Sequence, residues 1–134
     1  MKAQELRIGN LVNVPNKEQS PFRIDYFDEN KVYQNQGFYN TEFGLVPYHP
    51  LTWDISDCAP IPLTPEILEK CGFEKFKGLW NYKLVPIGYE LNLVKINGLN
   101  ENEFENQIGE SIKHLHHLQN LYYALTGEEL HFKP

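Results

Sequence analysis

A chain of 134 residues carrying a formal net charge of −6 has the length of one domain, or of two small subdomains sharing a core. Its 41% hydrophobic and 13% aromatic content describes an ordered globule that needs no disulfide or metal to fold. Lys and Arg are scattered, never more than two within four residues, so the basic stripe that phosphate-backbone binding requires is missing from the sequence and nucleic acid is an unlikely partner.

The opening MKAQELRIGNLV lacks the apolar core of a signal peptide, and no apolar run approaches the ~20 residues of a membrane span. No membrane partner is expected, and the chain reads as cytoplasmic. Leu6, Ile8, Leu11, Val12 and Val14 form a strand pattern interrupted by the turn pair Gly9-Asn10. Phe22, Ile24 and Tyr26 alternate with Arg23 and Asp25, the two-residue period of a half-buried strand. Asp28-Glu29-Asn30 turns the chain into a partner strand starting at Val32-Tyr33.

Phe38-Tyr39, a turn across residues 40–44, Leu45-Val46 and then residues 51–55 add further short strands, with Pro47 and Pro50 confined to an edge or a loop. Short strands at this spacing predict a small barrel over residues 1–57. The order L-x-I-G-N-x-V, F-R-I-D, turn and K-V-Y resembles the opening of small Src-homology-type barrels over about 35 residues, and such barrels carry no single function. Tyr39, Tyr48 and Trp53 are candidates to line a groove on it; the competing expectation is that at least two of them fill the interior.

Residues 58–134 are predicted to form an α+β subdomain. Its first element is a short helix, about 64–71, with Thr64 as cap, Pro65 at the first helical position and Gly72 at the stop. Ile67, Leu68 and Cys71 share one face, and Glu66 and Glu69 belong to a solvated one. A β-hairpin follows over about 74–96, its strands near 74–84 and 89–96, with turns at Val85-Pro86-Ile87-Gly88 and Asn97-Gly98. Residues 99–109 read either as a loop or as a further short strand carrying Phe104 and Ile108.

The last element is an amphipathic helix over about 111–126, capped by Ser111 and ended by Gly127. Leu115, Leu118, Leu121, Tyr122 and Leu125 fall in one sector about 120° wide, a core-facing stripe. His116, Gln119, Asn120 and Tyr123 form a polar stripe that is a candidate interaction surface. Four of the five histidines lie at or near this helix. On a helix His114 and His116 point about 200° apart, leaving His114 with His117 as the only pair able to share an ion. No HExxH, GxSxG or Cys-His signature is present, and Cys58 and Cys71 fit neither a zinc nor a redox spacing. No catalytic residue, metal ligand or cofactor site is assigned.

Two passages, PIPLTPEILEKCGF at 60–73 and HHLQNLYYALTGEEL at 116–130, together with the RIGNLV opening, resemble a family of small proteins from bacteriophages, prophages and related mobile elements of gut anaerobes. The family pattern has a histidine at His116 and commonly glutamine at His117. The resemblance implies a phage-associated origin and names no activity, substrate or cofactor. The reading that follows is a non-enzymatic accessory protein acting on a protein partner of phage or host. Its alternatives are a nucleic-acid-associated factor using the barrel, and a small metal-binding enzyme.

Overall fold

The computed structural model describes residues 1–75, 81–84, 91–95, 104–106 and 111–133. The chain is α+β and divides into two compact units, Met1–Pro60 and Ile61–Pro134. All strand pairs among the described residues are antiparallel.

In the first unit β1 (Leu11–Val12) pairs with β2 (Phe22–Arg23). β3 (Tyr26–Phe27) pairs with β4 (Lys31–Gln34), and β4 with β7 (Leu51–Asp54). β5 (Phe38–Thr41) and β6 (Gly44–Pro47) form a separate two-stranded sheet. The strand expected from Phe22 to Tyr26 is split. Ile24 N–H donates to the Asn10 carbonyl at 2.9 Å, whereas the next amide, Asp25 N–H, donates to Tyr33 at 2.9 Å. One extended segment thus serves two ladders. The expected short antiparallel strands are present, but they lie in three separate sheets, and no closed barrel forms among the described residues.

Local chemistry explains the turns. Gly9 takes a positive φ of 96° in the Arg7–Asn10 turn, and Asn10, fully buried, accepts the Arg7 N–H on its side-chain oxygen at 2.8 Å. Asp28 accepts the amides of Asn30 and Lys31 at 2.8 and 2.9 Å, closing the β3–β4 hairpin. Those two bonds hold the Asp28 carboxyl below its ordinary range. Phe22, Ile24 and Val32 are buried with Leu6, Val12, Val14, Ile55 and Cys58, the core of this unit. Tyr26, expected on the buried side, is exposed and stacks on its cross-strand partner Tyr33 with ring centroids 4.5 Å apart.

The second unit opens with α1 (Pro65–Lys70). Thr64 Oγ1 accepts the Ile67 amide at 3.1 Å and Pro65 sits in the first turn. At the other end Phe73 N–H donates to Leu68 O at 2.9 Å and Gly72 N–H to Glu69 O at 3.0 Å, with Gly72 at φ 93°. That is a Schellman stop, as the sequence predicts. β8 (Glu74–Lys75), β9 (Asn81–Leu84), β10 (Leu91–Lys95), β11 (Phe104–Asn106) and β12 (Ser111–Ile112) form one sheet in the order β12-β11-β10-β9-β8. The hairpin expected over about 74–96 is present in its later part, β9 with β10, but the single strand expected near 74–84 is two strands, β8 and β9, paired antiparallel with each other. Phe104 lies on a strand. The turns assigned to 85–88 and 97–98, and Ile108, lie outside the described residues.

The final helix starts later than expected. Ser111 belongs to β12 and is no cap; α2 runs Leu115–Thr126, with His114 as its N-cap residue. Long-range pairing sets this boundary. Leu63 N–H donates to Lys113 O, Leu115 N–H donates to Ile61 O, and Pro62 bridges His114, so the 111–114 segment stays extended. Gly127, at φ 72°, ends the helix as predicted and donates to Tyr123 O at 2.8 Å.

The two ends of α1 are the most direct test of these local rules. Gly72→Ala and Thr64→Ala should each lower unfolding free energy by about 1 kcal/mol in urea titrations, the first through positive-φ strain, the second through a lost cap. An unchanged midpoint in both variants would refute the assignment of α1's boundaries.

Candidate functional site

The polar stripe assigned to the last helix does not form one surface. His116 and Gln119 are buried, Asn120 is half-buried, and only Tyr123 is exposed. Burial runs along Leu115, His116, Leu118 and Gln119, while Leu125, expected to face the core, is exposed. The buried face lies on the first turns of the helix and includes two of the polar residues.

The histidines also differ from the expected geometry. Because His114 is an N-cap residue at φ −129° and ψ 150°, the helical 200° separation does not apply to it. Its ring stacks on that of His116 at 5.7 Å, and His117 lies 4.2 Å from His116. Burial lowers the His116 pKa to about 4, and the neighbouring imidazoles of His117 and His114 push it the same way. His116 is therefore neutral at pH 7.

Neither thiol is poised for nucleophilic chemistry. Burial pushes the Cys58 thiol up to about 11, with Asp57 and Asp54 adding to it, and burial alone pushes Cys71 up to about 12. A hollow of about 400 Å³ beside Cys71 is lined by Glu69, Lys70, Gly72, His131 and Lys133. A larger one, about 670 Å³, lies in the first unit against Lys2, Glu29, Asn30, Asp54 and Ser56. Both are rimmed by charges of both signs, the pattern of solvated surface.

The three aromatics proposed for a groove separate as well. Trp53, on β7, packs against the first unit's core, and its indole N–H donates to Gln19 Oε1 at 2.8 Å. Tyr39 and Tyr48 pair with each other at the β5–β6 hairpin, centroids 4.8 Å apart. That hairpin is where the structure concentrates exposed apolar surface. Phe38 is 65% exposed, Tyr39 42%, Phe43 96%, Leu45 68% and Tyr48 50%.

Its construction is simple. Thr41 faces Gly44, leaving Glu42-Phe43 as a two-residue loop. Thr41 Oγ1 accepts the Phe43 amide at 3.1 Å and donates to Gly44 O at 2.9 Å, while Gly44 takes φ 111°. Alternation then places Tyr39, Val46 and Tyr48 on one face and Phe38, Leu45 and Pro47 on the other. Sequence reasoning found Tyr39 and Tyr48 but missed Phe38, Phe43 and Leu45. The available signal was composition: from Asn35 to Pro50 the one carboxylate is Glu42 and no Lys or Arg occurs.

No family model, no curated protein and no solved structure matches this chain. Among the described residues no helix is long and apolar enough to cross a membrane.

The buried imidazole gives a testable pH dependence. His116 has an ordinary pKa of 6.5 and a folded one of about 4, so between those values the unfolded chain binds the extra proton. Stability attributable to His116 is complete above pH 6.5 and falls as the pH drops, by up to about 3 kcal/mol near pH 4. In urea unfolding at pH 7 and pH 5, His116→Gln should lose less stability on acidification than the wild type, whatever its absolute stability. Equal losses would show that His116 is not held neutral by burial.

Proposed function

We propose that this chain is a non-enzymatic accessory protein that works by protein–protein contact through its β5–β6 hairpin. The observation that carries the reading is the hairpin itself: Phe38, Phe43 and Leu45 are each mostly exposed on a segment with one charged residue. Exposed apolar patches of this kind, rimmed by polar residues, mark contact sites. Burial holds His116 neutral and both thiols protonated at pH 7, which supports a role other than nucleophilic chemistry for these three residues.

The 60–73 and 116–130 passages support placing the chain with the phage- and prophage-associated proteins they resemble, acting in the cytoplasm on a protein of the phage or its host. On this reading the first unit's ladders are a relative of the Src-homology-type barrel, with the hairpin as an outlying recognition element. Barrel closure is not required for the contact.

Capture from phage-carrying cells tests the proposal. Tagged wild-type chain should recover a discrete phage or host protein, and the double variant Phe43→Ser/Leu45→Ser should lose it. Both positions are exposed, so folding should change by less than about 0.5 kcal/mol. Recovery of nothing, or equal recovery by both chains, would overturn the reading.

A further inference from the structure

We draw no further inference here: the strongest candidate, the exposed apolar patch on the β5–β6 hairpin, carries nothing beyond the contact already proposed, because nothing in the structure shows what covers it.

Discussion

The amides of Ile24 and Asp25 point into different ladders, and the first unit depends on that division. A single strand can satisfy one neighbour on each edge; here the segment from Phe22 to Phe27 reaches β1 with its first half and β4 with its second. Buried peptide groups must find partners, and strands of two residues would leave most of theirs unmet. The hand-over solves this by letting one stretch of chain close both ladders. It also explains why Phe22 and Ile24 are fully buried while Tyr26 is exposed: the direction of the buried face changes where the hydrogen-bonding partner changes. Cavity-forming substitutions cost most where the surrounding structure cannot collapse, and Phe22 and Ile24 lie between two ladders that both depend on their position.

In the second unit the corresponding constraint is the pairing of residues 61–63 with 113–115. It holds the chain extended up to His114 and then releases it into α2. The exchange turns His114 back toward His116 and His117, so three imidazoles adjoin where a continuous helix would have spread them around its axis. Packing them together with one ring buried favours the neutral form of that ring. The sequence cluster of histidines is thus a structural cluster after all, assembled by strand pairing instead of helical periodicity.

What was legible in the sequence follows the range of the interaction that decides it. Thr64-Pro65 and Gly72-Phe73 set the ends of α1 through bonds three to five residues long, and they act as written. Gly127 and the Asp28 turn belong to the same class. The start of α2 depends on Ile61 and Leu63, some fifty residues away in sequence. No local pattern announces that. The 3.6-residue period did identify Leu115 and Leu118 as buried, but it assigned Leu125 to the core and His116 and Gln119 to a surface, because periodicity gives relative direction and not which sector meets a neighbour. Trp53 and Tyr39 looked alike as groove aromatics. The indole's bond to Gln19, 34 residues distant, is what separates them.

The hairpin stands apart from all of this because folding does not account for it. The core of the first unit draws on Leu6 to Val32 and on Ile55 and Cys58, with Leu51 and Trp53 packed against it, and none of its members comes from β5 or β6. Apolar side chains at Phe38, Phe43 and Leu45 therefore contribute little to the native state through burial, yet they expose the protein to unwanted association. Edge strands in such a position are ordinarily blunted with charge or proline, and here only one edge is: Pro47 closes β6, while β5 keeps Phe38 and Asn40 outward with no Lys beside them. A segment protected on one side and open on the other has a direction. That asymmetry belongs to the hairpin alone, set by one proline at position 47 and by the alternation of its ladder.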